Sequence, residues 1–171
     1  MTAMTLRADC SQCAALCCVV LAFDRGEMFG FDKPACEPCR HLKTDGCEIH
    51  ADRERLGFRG CIAFDCAGAG QYVTQVMFAG RSWRDDPDLA RPMGEAFAAM
   101  QAVHAQLGLL GQARGLPLPD DVQQRLGELE RALQPAVGWT LEDVRAGRAE
   151  KAVAEVRGFL ASLRPFVANR P

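Results

Sequence analysis

The chain has 171 residues, of which 49% are hydrophobic and 25% are charged, and its 20 basic and 22 acidic residues leave a formal net charge of −2. This composition is that of an ordinary globular protein, and the length suffices for one domain or for a small domain with a helical extension. Neither half carries the positive excess that attracts phosphate backbones or anionic lipid, so we expect no nucleic-acid partner and no membrane association.

Short elements and turns are expected in the first part of the chain. Residues 19–23 predict either a buried strand or a short buried helix, because their length and lack of period leave both open. Between residues 31 and 60, turn formers alternate with small apolar clusters, which predicts loops with one brief helix near 52–56. A further short helix is predicted over 72–78. Since so little periodic pattern cannot build a large core, we expect a metal ion to order this segment.

Helical periodicity without cysteine characterises the second half of the chain. Asp86-Pro87 has the form of a helix N-terminus, and apolar residues then recur at three- and four-residue steps to Gly111. Pro92 lies inside that span, so the helix either begins there or bends there. His104 lies near the apolar stripe, and a buried histidine with one hydrogen bond explains it more simply than a metal ligand does.

Two further helices complete the predicted fold. Residues 119–133 and 148–167 each carry one apolar face, and residues 140–143 resemble a capping box that begins a short turn between them. Amphipathic helices joined by short loops pack as an antiparallel bundle. The predicted fold is therefore mainly α, with a loop-rich, metal-bound cysteine module in residues 1–80 followed by an antiparallel three-helix bundle in residues 81–171.

The cysteines are confined to the first part of the chain. All nine are listed here in order: Cys10, Cys13, Cys17, Cys18, Cys36, Cys39, Cys47, Cys61 and Cys66. Thiols gathered on local turns, with His41 and His50 among them, are typical of a metal site. An odd number disfavours a disulfide framework, and no apolar leader precedes the first thiol, so we expect a cytoplasmic protein with reduced cysteines.

The spacing of the cysteines bears on how they could bind metal. Cys10 and Cys13 have the two-residue spacing that lets both thiolates bind one ion, and this spacing recurs once more among the nine. Adjacent side chains such as Cys17 and Cys18 normally diverge, so one binds while the other packs, or each serves a different metal. The thiols exceed the four that one tetrahedral ion needs, which leaves open a multinuclear centre, two separate sites, or surplus cysteines that are simply buried.

The cysteine pattern resembles a known family. The segments that carry the resemblance are Cys-x2-Cys-x3-Cys-Cys in residues 10–18, Cys-Arg-His-Leu in 39–42, Gly-Cys-Glu-Ile-His in 46–50, and residues 60–66. They are similar to the bacterial cysteine-cluster family described as a zinc- or iron-chelating domain, the YkgJ type. They look still more like the N-terminal module of some bacterial pentapeptide-repeat proteins, although no such repeats follow here. The cysteine module of flagellin lysine methylases is a more distant likeness and implies an iron-sulfur cluster.

The resemblance also implies a set of thiolate ligands. The implied metal ligands are Cys13, Cys17, Cys18, Cys39, Cys47, Cys61 and Cys66, with Cys10 next. The family pattern commonly has a small residue at the position of Cys36, which makes Cys36 the weakest candidate. Whether His41, His50 or His104 also binds stays open.

Four functions compete on this pattern. The first is an iron-sulfur or other multinuclear centre with a redox or sensing role, favoured by the surplus of thiols and by apolar residues around them. The second is structural zinc that folds an interaction module. The third is a metal-dependent enzyme that modifies a partner protein docked on the helical half, although no acid-base pair or Ser/His/Asp arrangement identifies catalytic residues. The fourth, a copper or zinc buffer, is weakened by the shortage of methionine near the cysteines.

Overall fold

The structure is a computed structural model that describes residues 4–44 and 46–168. Within those ranges the chain has eight α-helices and one two-stranded antiparallel sheet, which confirms the prediction of a mainly α fold. None of the described helices combines the length and the hydropathy that a bilayer crossing requires.

The cysteine-rich part contains only short elements. They are α1 (Leu16–Val20), β1 (Leu42–Lys43), β2 (Gly46–Cys47), α2 (Arg59–Ala63) and α3 (Ala69–Tyr72), which a π-helical turn, Val73–Met77, extends. Residues 19–23, which the sequence predicts as a strand or a helix, contain some of each. Helix α1 ends at Val20, and Phe23 forms an isolated antiparallel bridge with Lys33. The brief helix predicted near 52–56 is instead a 3-10 turn at His50–Asp52 followed by hydrogen-bonded turns.

The second half contains the long helices. They are α4 (Ala90–Ala113), α5 (Asp120–Leu133), α6 (Leu141–Arg145), α7 (Arg148–Ser162) and α8 (Arg164–Ala168), with a 3-10 turn at Pro87–Leu89 before them. Pro92 lies in the first turn of α4, where its missing N–H is not needed by the helix. The helix predicted over 148–167 is interrupted at Leu163, because Pro165 cannot donate to the carbonyl group one turn before it. The predicted capping box is confirmed, with Thr140 and Asp143 each bonding the other's backbone.

One buried cluster joins the two parts of the chain. Its members before residue 80 are Ala14, Leu16, Ala69, Tyr72 and Val73, and its fully buried members in α4, α5 and α7 include Phe97, Met100, Leu110, Leu126, Leu129, Leu133 and Val156. Each such large side chain contributes roughly 1.5–3 kcal/mol on burial. Helix α4 packs against α1, α3, α5, α6 and α7 and is therefore the centre of the fold. The antiparallel order of the helices and the domain boundary at residue 80 stay predictions.

Helix α4 also carries a buried histidine. His104 is fully buried, and its Nδ1 lies 2.6 Å from the carbonyl oxygen of Ala67, so Nδ1 carries the proton and donates it. Its Nε2 is buried without a hydrogen-bond partner in the described part of the chain. The ring meets Tyr72 edge to face, with centroids 5.6 Å apart. The predicted buried histidine with one hydrogen bond is confirmed.

We expect His104→Gln to reduce the acid sensitivity of folding. Burial lowers the pKa of His104, so the unfolded chain binds this proton more readily than the folded chain. Stability therefore falls as the pH drops below the unfolded pKa of about 6.5 and stops falling below the folded pKa. The check is the melting temperature at pH 7.5 and pH 5, which should differ less in the variant than in the wild type. The exposed His50, changed to Gln, is the control. An unchanged difference in His104→Gln would contradict the prediction.

Candidate metal centre

Seven of the eight cysteines predicted as ligands line one cavity of about 850 Å³. They are Cys10, Cys13, Cys17, Cys18, Cys39, Cys47 and Cys61. Cys66 is not in the lining, and neither is Cys36, which is exposed in a turn with a φ of 61°. All nine cysteines are free thiols. The structure therefore brings together thiols that are up to 51 positions apart in the sequence, from 10 to 61.

Helix α3 and its extension position the N-terminal cysteines. Polar side chains on this helix hydrogen-bond to the backbone of residues 7–14, and the bonds are Gln71 Nε2 to Arg7 O (3.1 Å), Gln75 Nε2 to Gln12 O (2.9 Å) and Ala14 N to Thr74 Oγ1 (3.0 Å). Cys10 and Cys13 lie within this segment. Because α3 begins three residues after Cys66, the same helix fixes both ends of the cysteine pattern.

Cys13 lies directly against α3. A Cβ atom added to Gly70 would be only 2.6 Å from Cys13 Sγ, far closer than such atoms approach. Glycine at this position therefore permits the close packing of the thiol on the helix.

The adjacent cysteines of α1 anchor the next thiol-bearing loop. The Sγ atoms of Cys17 and Cys18 are 4.0 Å apart. The carbonyl oxygen of Cys18 accepts a hydrogen bond from the backbone N–H of Cys39 (2.8 Å), and that of Val20 accepts from Cys36 (3.3 Å). The loop that carries Cys39 is thus bonded along α1.

The small hairpin and one arginine bring in the remaining thiols. Pairing of β1 with β2 places Cys47 opposite Leu42. Arg53 donates from Nε to the carbonyl oxygen of His50 (2.8 Å) and from Nη1 to that of Cys61 (3.3 Å). These bonds connect the turn after the hairpin to α2, so Cys47 and Cys61 face the same cavity.

A buried lysine lies beside this set of thiols. Lys33 is only 4% exposed, and its ammonium group donates three hydrogen bonds, to Val19 O (3.0 Å), Leu21 O (2.6 Å) and Pro34 O (2.9 Å). None of the salt bridges within residues 4–44 and 46–168 includes it. Burial lowers the pKa of Lys33, while the neighbouring Cys39 and Cys18 oppose that shift. The acidic groups next to this buried cation are thus mainly thiols.

Cys18 is the most acidic of the thiols whose pKa is shifted. Its hydrogen bond with Cys17, helped by the charges of Lys33, Arg84 and Arg53, lowers the pKa of Cys18. The same hydrogen bond raises the pKa of Cys17, because Cys17 keeps the shared proton. Cys18 therefore loses its proton more readily than Cys17 does, and the thiolate is the form that binds metal.

Other thiols of the cavity need a cation before they ionise. Burial raises the pKa of Cys10, Cys13 and Cys47, and raises that of Cys61 to about 11, with other cysteines nearby adding to the effect. Without a metal these groups keep their protons at pH 7. Metal binding would therefore release several protons.

An aromatic cluster forms one wall of the cavity. Phe23 stacks on Phe29 with centroids 4.2 Å apart, and Phe31, Phe58 and His41 meet one another edge to face at 5.3–5.6 Å. The Nδ1 atom of His41 is 2.9 Å from Glu48 Oε1. Residues 31–60 thus have local aromatic packing that helps to order them, in addition to the order expected from a metal.

The thiols do not lie in coordination geometry. Within residues 4–44 and 46–168, no three Cys, His, Asp or Glu side chains are grouped so that they could hold a metal ion. The ligand roles of the eight cysteines stay predictions.

Comparison with curated proteins finds a relative in Bacillus subtilis. The chain is 40% identical over 122 residues to the protein of Bacillus subtilis (strain 168) described as "Uncharacterized protein YybG". The match covers 71% of this chain and 44% of YybG, so the chain spans less than half the length of that relative. No protein-family model matches the chain. No solved structure matches it either.

Proposed function

We propose that this protein binds metal through its N-terminal cysteines, as an iron-sulfur or other multinuclear centre with a redox or sensing role. The observation that carries the proposal is the arrangement of seven free thiols around one cavity, drawn from four separate parts of the sequence. Soft thiolate ligands in this number suit iron-sulfur clusters, zinc or Cu(I). The thiols would have to stay reduced, which fits the cytoplasmic location expected from the sequence.

The charges around the cavity support thiolate ligands. Lys33 is a buried cation whose closest acidic neighbours are Cys39 and Cys18, and in the described part of the chain it takes part in no salt bridge. Arg53 and Arg84 also line the cavity. A buried charge is costly unless it is compensated. Because thiolates become stable when a metal binds them, the metal-bound state would place negative charge next to the buried ammonium group of Lys33.

The size and the walls of the cavity favour a cluster over a single ion. A volume of about 850 Å³ is far larger than one metal ion needs. Phe23, Phe29, Phe58 and Phe64 line it with apolar surface. Apolar surroundings limit the access of water and so influence the reduction potential of an iron-sulfur cluster. The resemblance of residues 7–80 to YkgJ-type cysteine-cluster proteins supports the same proposal.

Structural zinc is the alternative. It is favoured by the short elements of residues 10–66, which have few regular hydrogen bonds of their own, and by the two-residue spacing of Cys10 and Cys13. In this case the metal would only hold the loops together, and the module would act as an interaction surface.

The composition of the purified protein tests both proposals. The protein is isolated without oxygen, its visible spectrum is recorded, and iron, zinc, copper and acid-labile sulfide are measured per chain. A brown protein with sulfide in proportion to iron supports the cluster. A colourless protein with zinc alone supports the alternative, and a protein that binds none of these metals under reducing conditions contradicts metal binding.

A further inference from the structure

We infer that the eight cysteines divide into two adjoining four-thiolate sites, with the neighbouring residues Cys17 and Cys18 serving different ones. The core-side set is Cys10, Cys13, Cys17 and Cys66, and the hairpin-side set is Cys18, Cys39, Cys47 and Cys61. This inference rests on the proposed function, because it states how the thiols share the metal once metal binds.

Packing against the hydrophobic core separates the two sets. Cys13, Cys17 and Cys66 are partly buried side chains that pack on the main core cluster. Among the described residues, no member of the hairpin-side set belongs to that cluster or packs on it. Three of the four core-side thiols therefore lie against the helices, whereas the hairpin-side thiols lie among the loops.

Hydrogen bonds to α3 and its extension connect the core-side set. The segment that carries Cys10 and Cys13 is held along this helix by Gln71, Thr74 and Gln75, and Cys13 Sγ lies against Gly70. The backbone carbonyl of Cys66 accepts the hydrogen bond that starts the same helix, from Ala69 (2.9 Å). Cys17 reaches this layer from α1, which packs on α4.

Hydrogen bonds among the loops connect the hairpin-side set. Cys39 is bonded to Cys18 through its backbone N–H, and three residues later β1 begins the hairpin that ends with Cys47. Arg53 then connects the following turn to the carbonyl oxygen of Cys61. None of these bonds involves the segment that carries Cys10.

The division resolves the difficulty of two consecutive ligands. Neighbouring side chains on a helix point about 100° apart, so each can face a different layer. A distance of 4.0 Å between Cys17 Sγ and Cys18 Sγ places them at the boundary between the sets. Two sets of four thiolates match the ligand number of two tetrahedral zinc ions and of two four-cysteine iron-sulfur clusters.

Zinc titration of the reduced chain under anaerobic conditions tests the division. The wild type should bind two equivalents of zinc per chain. Cys66→Ser and Cys61→Ser should each bind one, and the double variant should bind none tightly. Cys36→Ser, whose side chain is exposed and outside the cavity, is the matched control and should bind two.

The outcomes separate this inference from the proposed function. One zinc per wild-type chain, or the loss of both ions in one folded single variant, would overturn the two-site division while leaving metal binding intact. No zinc bound by the wild type would contradict the proposed function itself. Far-ultraviolet circular dichroism shows whether each variant keeps its helices. If a variant fails to fold, the stoichiometry of the wild type decides.

Discussion

Replacing Lys33 with methionine should lower the free energy of unfolding by about 3 kcal/mol, because three backbone carbonyl groups lose their hydrogen-bond donor. An unsatisfied buried acceptor costs roughly 1–3 kcal/mol before the structure relaxes. The three carbonyls belong to Val19, Leu21 and Pro34. Through them the Lys33 side chain connects its own segment to the end of α1, next to the backbone bridge between Phe23 and Lys33. The substitution also removes a cation beside Cys18 and Cys39. We therefore expect metal affinity to fall along with stability.

Urea denaturation of the metal-bound protein measures the first effect. Lys43→Met is the matched control, since that side chain is 57% exposed and should change stability by less than about 0.5 kcal/mol. Equal unfolding free energies for the two variants would show that the buried ammonium does not hold these loops together.

Cys39→Ser should lose metal and open the loops between α1 and α3 to protease. Cys39 lines the cavity and is bonded to α1, and its removal leaves the hairpin-side set with three thiolates. Cleavage is expected within residues 22–63, because no described residue of this range belongs to the main core cluster or packs on it. Ala14, Leu16 and α4 should stay protected, because their packing does not depend on that thiol.

Limited proteolysis followed by mass spectrometry locates the cleavage sites. Cys36→Ser changes the same atom in the same loop, but Cys36 is exposed and does not face the cavity. It should retain the metal and the resistance of the wild type. If both variants are cut alike, or if Cys39→Ser keeps its full metal content, Cys39 is not a ligand.

Local sequence pattern was sufficient for the long helices. The periodic apolar residues predicted α4 and α5 to within a few positions, and Thr140 with Asp143 predicted the start of α6. These features depend on contacts within one helical turn, which a sequence shows directly. The apolar periodicity continues through Pro165, so the pattern alone does not show the break before α8, which the proline causes.

The site was only partly predictable, because it depends on contacts between segments that are far apart in the sequence. The candidate cysteines were identified from their spacing, and seven of the eight line one cavity. The roles of Lys33 and Arg53 depend on contacts between segments that are distant in the chain, and no local pattern marks them. The aromatic cluster was missed because its four phenylalanines, in loops, follow neither helical nor strand periodicity.

Hydrogen exchange with and without metal tests the central claim most directly. The protein is compared as isolated and after a strong chelator has removed its metal under reducing conditions. We expect amides between Cys10 and Cys66 to exchange at least about tenfold faster after chelation, equivalent to roughly 1.4 kcal/mol of lost protection, while those at the centre of α4 change little. Equal protection of residues 10–66 in the two samples would contradict the account that metal binding by the cysteines orders this part of the fold.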